Sequence, residues 1–211
     1  MAGITLHYFD YHARGECAKL IMKYYSMEYT DHLIAYDDWL KLKAEGFTEF
    51  GQLPRLDIDG MQMVQSYAIY RYLCQKNAAY PTDPYQIYLV ESLCNLRDDI
   101  YNSLMPNFYT NNTEGIANWY RDNMPRMLRM IEKRLVENNS GNHFFVGNSV
   151  TMADFVMFQF GYDHFLRPNL KDQFEGVLRD NAPNYYQFVL YFKDSNASVR
   201  NYLTTRAEKA F

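Results

Sequence analysis

The chain has 211 residues, of which 48% are hydrophobic and 22% charged, which is enough apolar sequence for one large domain or two small ones. The net charge of −4 and the scattered basic residues argue against nucleic acid as a partner, because phosphate backbones are bound by clustered positive charge. No apolar run approaches the roughly 20 residues that span a bilayer, and the N-terminus does not resemble a secretion signal, so we expect a cytosolic protein without membrane contacts.

The first part of the chain alternates strand and helix signals. Residues 5–9 and 29–34 are rich in the β-branched and aromatic residues that favour strands, and residues 15–25 carry apolar side chains at helical spacing. This order predicts a β-α-β unit. A helical or irregular stretch is expected next, at residues 38–44.

Two short apolar runs then flank a tight turn. Residues 55–58 and 61–64 lie on either side of Asp59-Gly60, a dipeptide that favours a type I′ turn, so they should be antiparallel neighbours. Ser66 is a candidate N-cap for the helix that follows. The resulting order, β-α-β-α-β-β-α, predicts an α/β thioredoxin-like domain.

The sequence changes character after this domain, which we place at residues 1–77. Residues 78–85 are polar and contain two prolines, which indicates a linker, and residues 86–211 have successive helical patterns, which predict an all-α domain. Helices are expected near residues 86–109, 114–138, 151–166 and 183–194.

A helix start is marked at residues 150–155. Thr151 can cap the following helix while the side chain of Asp154 answers from the third helical position, and Val150 can pack on Phe155 as a hydrophobic staple. This pairing is a structural signal and requires no catalytic role.

Two features could bind a small peptide-like ligand. Leu53-Pro54 precedes a strand, where a tight bend is expected; in a thioredoxin-like fold this bend is usually a cis-proline, which leaves the Leu53 backbone able to pair with an extended peptide. An ordinary trans proline is the alternative. Gln65-Ser66 opens a helix whose N–H groups suit a carboxylate, although capping alone would also explain Ser66.

Cysteine and histidine spacing predicts no metal site. Cys17, Cys74 and Cys94 lack zinc-type or CxxC spacing, which suits reduced thiols, and the five histidines are scattered. Cys17 could suggest glutaredoxin-like chemistry, but no second cysteine is near it in the sequence, so we expect a packed thiol.

Several short motifs occur in a fixed order along almost the whole chain. They are Leu6-His7-Tyr8-Phe9, Arg14-Gly15-Glu16-Cys17-Ala18, Phe50-Gly51-Gln52-Leu53-Pro54, Asp57-Ile58-Asp59-Gly60, Gln65-Ser66-Tyr67-Ala68-Ile69 and the capped helix start at residues 146–154. Each motif is weak alone, but together they resemble a sigma-class cytosolic glutathione transferase.

The resemblance implies an enzyme that conjugates glutathione, its co-substrate, to small hydrophobic electrophiles in detoxification, without a metal. Tyr8 would activate the thiol, and Arg14 would support it electrostatically. The implied glutathione-binding residues are Trp39, Lys43, Gln52, Leu53, Pro54, Gln65, Ser66 and Asp99.

The resemblance also implies a homodimer. Asp99 matches the acidic residue that reaches the glutathione of the partner subunit in this family, and Asp98 is its close competitor. A cleft for the second substrate is expected from Phe9, Leu104, Met105 and Phe108, although apolar residues on the fourth helix could equally belong to the core or to the dimer surface.

The chemistry required of Tyr8 is the formation of a thiolate at neutral pH. The thiolate is the nucleophile, whereas a thiol has a pKa of about 8.5. A tyrosine, with a pKa near 10, stays protonated and can donate its hydroxyl to the sulfur, which stabilises the charged form. Tyr8 is therefore expected to act as a donor and not as a nucleophile.

Two positions depart from the family pattern. His12-Ala13 stands where relatives commonly have Arg-Gly, and Pro106 falls where vertebrate prostaglandin D synthases have a tryptophan, which favours conjugation over prostaglandin isomerisation. A structural or ligand-carrying protein like the lens S-crystallins is one alternative, and a glutathione-dependent isomerase or peroxidase is another. The intact set Tyr8, Arg14, Gln52, Gln65 and Ser66 argues against the first alternative.

Overall fold

The computed structural model describes residues 3–138 and 143–209, and the chain divides into two compact units. The first unit comprises Met1–Tyr80 and Asn196–Phe211, of which residues 3–80 and 196–209 are described, and the second is Pro81–Ser195. The predicted fold class, an α/β thioredoxin-like domain with a helical domain, is confirmed. The residues after 195, assigned from the sequence to the helical domain, group with the first unit.

A mixed sheet forms the centre of the first unit. Its strands within the described ranges are β1 (Ile4–Tyr8), β2 (Tyr29–Leu33), β3 (Arg55–Ile58) and β4 (Met61–Val64), in the order β2-β1-β3-β4. β1 is parallel to β2 and antiparallel to β3, and β3 is antiparallel to β4. Asp59 and Gly60 have φ values of 54° and 76°, the positive values that a type I′ turn needs, so the predicted hairpin is confirmed.

Helices make up most of the remaining described chain. They are α1 (Glu16–Tyr24), α2 (Tyr36–Ala44), α3 (Ser66–Lys76), α4 (Pro84–Tyr109), α5 (Thr113–Asp122), α6 (Met124–Glu137), α7 (Met152–Gly161), α8 (Pro168–Asn181), α9 (Pro183–Ser195) and α10 (Ala197–Thr205). A π-helical turn, Tyr162–Leu166, follows α7. In the first unit α1 packs against both α3 and α10, and in the second α7 packs against both α4 and α9. No helix in residues 3–138 or 143–209 is both long and apolar enough to cross a membrane.

Several helix boundaries differ from the predicted ones. The single helix predicted at residues 114–138 is two helices, because α5 ends at Asp122 and Pro125 lies in the first turn of α6, where its missing N–H removes no helical hydrogen bond. α4 begins at Pro84, inside the predicted linker, because the Asp83 side chain caps it by accepting the Gln86 N–H at 2.9 Å. Ser66 is the first residue of α3 and not its N-cap.

The predicted capping box at α7 is confirmed. Asp154 is fully buried, and its carboxyl oxygens accept the Thr151 N–H at 2.7 Å and the Thr151 hydroxyl at 2.9 Å. The same carboxyl group accepts the Phe145 N–H at 2.8 Å. Asp154 therefore ties the start of α7 to the segment that precedes it.

α7 and α9 approach closely at Gly161. A Cβ at this position would lie 2.6 Å from Val189 Cγ2 and 2.8 Å from Tyr185 Oη, and Tyr185 is fully buried with its hydroxyl donated to the Met157 carbonyl at 2.5 Å. Alanine improves helix propensity by up to about 1 kcal/mol, but overpacking costs about 1–3 kcal/mol. We expect Gly161→Ala to lower the free energy of unfolding by about 1–2 kcal/mol in urea titrations.

Gly176, on α8, provides the matched control for this substitution. A Cβ there would meet only Arg179 Nη2, at 3.9 Å, which is an ordinary contact. Gly176→Ala should leave the free energy of unfolding unchanged or raise it by up to about 1 kcal/mol. If both substitutions changed the free energy of unfolding equally, the close contact between α7 and α9 would not be the cause of the change.

Candidate functional site

Tyr8 is the last residue of β1, and its hydroxyl meets the loop that follows. The backbone N–H of Arg14 donates to Tyr8 Oη at 3.1 Å, and Tyr8 is only 6% exposed. Because Oη accepts this bond, the hydroxyl retains its own hydrogen as a donor, and the neighbouring amide dipole strengthens that donor. The fold thus brings Tyr8 together with the backbone of Arg14.

Two residues that the sequence analysis did not single out hold this arrangement. A Cβ at Gly15 would lie 2.5 Å from Tyr8 Cδ1, so the tyrosine ring packs directly against the glycine backbone. Tyr70, fully buried on α3, donates its hydroxyl to the Arg14 carbonyl. The helical spacing of Tyr70 indicates burial but could not have identified its partner.

Most of the predicted ligand-binding positions of the first unit lie at one edge of the sheet. The register pairs Arg55, the first residue of β3, with His7, the residue before Tyr8, and with Val64, the last residue of β4. Because both pairings are antiparallel, Tyr8 and Gln65-Ser66 lie on either side of the Leu53-Pro54 segment that enters β3. The Leu53–Pro54 peptide bond is cis, which confirms the predicted bend.

The start of α3 has an unusual backbone. Gln65, its N-cap, has a φ of 70°, a value that costs a non-glycine residue about 1–3 kcal/mol and is found most often at ligand sites. Its side-chain amide makes a long contact of 3.5 Å with Gln52 Oε1. Ser66 is 6% exposed at the first helical position, where backbone N–H groups point away from the helix and suit a carboxylate.

α2 contributes the other two predicted side chains of this unit. Trp39 is buried, and its ring meets that of Phe9 edge-on at a centroid distance of 6.1 Å. Lys43 is exposed and passes over Gly51, where a Cβ would lie 3.1 Å from Lys43 Cε. Lys43 therefore lies beside the residue that precedes Gln52.

A charged network ties β1 to β3 just inside this edge. Arg55 donates to both carboxylate oxygens of Asp57, at 2.7 and 2.8 Å, and His7 Nε2 lies 3.1 Å from Asp57 Oδ2. Partial burial alone would raise the pKa of Asp57, but the hydrogen bonds from Arg55 hold it below its usual value. Burial lowers the pKa of His7. The network was not predicted, because it joins residues 50 positions apart.

The predicted site residues of the second unit lie on α4. Asp99 is exposed and Asp98 half-buried. Leu104 is fully buried, whereas Met105 and Phe108 keep part of their surface exposed. Of the three apolar side chains, Met105 and Phe108 are those that a ligand could reach directly.

Comparison with known proteins identifies the helical part of the chain. The family model described as "Glutathione S-transferase, C-terminal domain" matches residues 98–206, about half of the chain. A thioredoxin-like domain followed by that helical domain is the architecture of glutathione S-transferases. The chain belongs to the glutathione S-transferase family.

Named relatives extend the match over the full length. The glutathione S-transferase of Plasmodium falciparum is 29% identical over 99% of this chain and 98% of its own. S-crystallin SL20-1 of Nototodarus sloanii is 27% identical over 82% and 85%. The fold matches that of a monomeric glutathione S-transferase from the hookworm Necator americanus, with a TM-score of 0.84, 24% identity and full coverage of both chains.

Proposed function

We propose that this protein binds glutathione at the sheet edge and transfers it as a thiolate to small hydrophobic electrophiles, a detoxifying conjugation. The observation that carries the proposal is the setting of Tyr8, whose hydroxyl accepts the Arg14 N–H at 3.1 Å beside the Leu53-Pro54 bend. A donor held in this way can stabilise a sulfur anion on the cysteinyl residue of a peptide paired with that bend.

The energy required is within reach of these groups. At neutral pH only a few per cent of an ordinary thiol is ionised. A hydrogen bond to a charged group contributes about 1.5–3 kcal/mol, and each pKa unit corresponds to about 1.4 kcal/mol. The Tyr8 hydroxyl can therefore lower the thiol pKa by about one to two units, and the positive charge of Arg14 acts in the same direction.

Binding of glutathione is assigned to the groups at the same edge. The Leu53 backbone, presented by Pro54, would pair with the cysteinyl backbone, and the first N–H groups of α3, at Gln65-Ser66, would bind a carboxylate. The remaining contacts are assigned to Trp39, Lys43, Gln52 and Asp99.

The role proposed for Asp99, contact with the glutathione bound to a partner subunit, requires a homodimer. Asp98 remains the competing residue. The hookworm relative is described as monomeric, so the oligomeric state needs its own measurement. Sedimentation equilibrium should give twice the chain mass; a monomer would remove the role proposed for Asp99.

The residues proposed for the second substrate are Phe9 in the first unit and Leu104, Met105 and Phe108 on α4 in the second. Apolar and aromatic side chains of this kind favour a hydrophobic electrophile. The motifs quoted above favour the sigma class within the family. The three buried cysteines suit a reducing compartment, which supports a cytosolic location.

A structural or ligand-carrying role is the second candidate, and the S-crystallin relative is the observation that favours it. A structural protein does not require the combination of Tyr8, Arg14, Gln52, Gln65 and Ser66. For this reason we prefer the enzymatic role. A glutathione-dependent isomerase or peroxidase would use the same first site and differ only in the second pocket.

An ultraviolet difference titration tests the proposal. Glutathione bound to the protein should show thiolate absorbance with a midpoint about one to two pH units below the free value of about 8.5. The reference is the complex with S-methylglutathione, which has no thiol and therefore cancels the absorbance of the 20 ionising tyrosines. Absence of binding, or binding with an unshifted thiol, would favour the structural or carrier role.

A further inference from the structure

The C-terminal residues of the described chain lie against the loop between β1 and α1. Three residues of this segment contact three residues of the loop or of the start of α1. The contacts are the Lys209–Asp10 ion pair at 2.7 Å, the His12 Nε2 contact with the Ala207 carbonyl at 2.9 Å, and the Arg206–Glu16 ion pair. This loop also contains Arg14 and Gly15.

Glu16 is the centre of these contacts. It is fully buried, and its carboxyl group is bonded to the Arg206 guanidinium, to the Tyr202 hydroxyl at 2.8 Å and to His12 Nδ1 at 3.3 Å. Burial alone would raise the pKa of Glu16, but the hydrogen bond with His12 and the attraction of Arg206 hold it below its usual value. A buried carboxylate of this kind is strongly destabilising once its partner is removed.

The position of this carboxylate links it to Tyr8. Glu16 is the first residue of α1 and is two residues from Arg14, whose N–H donates to Tyr8 Oη. The seven residues between Tyr8 and Glu16 are thus fixed at one end by β1 and at the other by Arg206 and Tyr202. Movement of Glu16 would shift the Arg14 amide relative to the tyrosine hydroxyl.

We propose that Arg206 and Tyr202 are positioning residues for thiolate formation: through Glu16 they hold the Arg14 amide against Tyr8. They touch neither glutathione nor electrophile in this role. The proposal rests on the proposed function, since it assigns to the C-terminal segment a part in lowering the thiol pKa. A merely structural contact would affect stability and leave the bound thiol unchanged.

Three variants separate these roles. Arg206→Gln removes the charge opposite Glu16, Arg206→Lys restores a charge without the two-point geometry of arginine, and Arg200→Gln makes the same change at an exposed position on α10. We expect the titration midpoint of bound glutathione to rise by about half a pH unit to one unit in Arg206→Gln, to return at least halfway in Arg206→Lys, and to stay at the wild-type value in Arg200→Gln. The dissociation constant of glutathione should change less than threefold.

If Arg206→Gln does not fold, Tyr202→Phe replaces it, because that variant removes one hydrogen bond to Glu16 and keeps the ring. Its midpoint should rise by a few tenths of a unit. Folded variants that lose thermal stability but keep the wild-type midpoint would overturn the positioning role.

A second readout does not depend on glutathione. Hydrogen exchange of the Arg14 amide in the unliganded protein should be at least tenfold faster in Arg206→Gln than in the wild type, with Arg200→Gln unchanged. If the thiol pKa of glutathione bound to the wild type were not shifted, that result would overturn the proposed function alone. The exchange rate of the Arg14 amide would then decide whether the C-terminal segment holds the loop between β1 and α1. Unchanged exchange together with a shifted wild-type thiol would overturn the positioning role alone.

Discussion

Replacing Tyr8 by phenylalanine should raise the pKa of the bound glutathione thiol by about one to two units and lower kcat 10- to 100-fold near pH 6.5. The variant loses one hydrogen bond to a charged sulfur, about 1.5–3 kcal/mol, and keeps the ring that packs against Gly15. Affinity for glutathione should hardly change, since the groups proposed to bind the peptide are intact. The measurements are the difference titration and a pH profile of kcat with a small aryl halide.

The sign of the pH dependence identifies the cause. Because the thiolate is the reactive form, activity of Tyr8→Phe should recover as the pH rises towards its higher thiol pKa, and the gap from the wild type should narrow. The matched control is Tyr72→Phe on α3, which removes a hydroxyl that donates to Asp59 at 2.8 Å. This variant should have the thiol pKa and the kcat of the wild type. Full activity of Tyr8→Phe at every pH would show that a group other than Tyr8 stabilises the thiolate.

The sheet was predictable because its signals are local. The β-branched and aromatic content of residues 5–9 and 29–34 predicted β1 and β2 to within one residue of their observed bounds, and the Asp59-Gly60 dipeptide indicated the β3–β4 hairpin through its own backbone preference. Once these strands are in order, the thioredoxin-like topology brings the ends of β1 and β4 to the start of β3. The edge that carries Tyr8 follows from that order.

The helices that were missed have weak apolar patterns. α8 buries only Leu178 completely, and its exposed face is charged. α10 has nine residues and buries Val199 and Leu203. Such short or polar helices are stabilised by tertiary packing more than by their own sequence, so periodicity alone could not indicate them.

The supporting contacts of the candidate site were invisible for a different reason. Tyr70 reaches the Arg14 carbonyl across 56 positions, and Arg206 reaches Glu16 across 190. Sequence spacing indicates which residues share a helix face, but it does not indicate which distant side chain completes a hydrogen bond. Sequence motifs indicate the residues with proposed chemical roles, whereas only the three-dimensional structure shows the residues that hold them in place.

Replacing Asp154 by alanine should lower the free energy of unfolding by about 3–5 kcal/mol. The substitution removes an acceptor shared by the Phe145 N–H, the Thr151 N–H and the Thr151 hydroxyl, and it leaves these buried donors unsatisfied. Each lost bond accounts for about 1 kcal/mol, and each unsatisfied donor can cost more. For a chain of this size the melting temperature should fall by about 6–20 °C.

Asp172→Ala, at an exposed aspartate on α8, is the matched control and should change the free energy of unfolding by less than about 0.5 kcal/mol. The effect of Asp154→Asn on the free energy of unfolding should lie between those of the two alanine variants. An asparagine amide keeps one oxygen acceptor, but its NH2 group would face an N–H or O–H donor of Thr151 or Phe145. If Asp154→Ala lowered the free energy of unfolding by less than about 1 kcal/mol, water or a shifted backbone would have to satisfy the three donors that Asp154 binds. The connection between residue 145 and the start of α7 would then depend on packing alone.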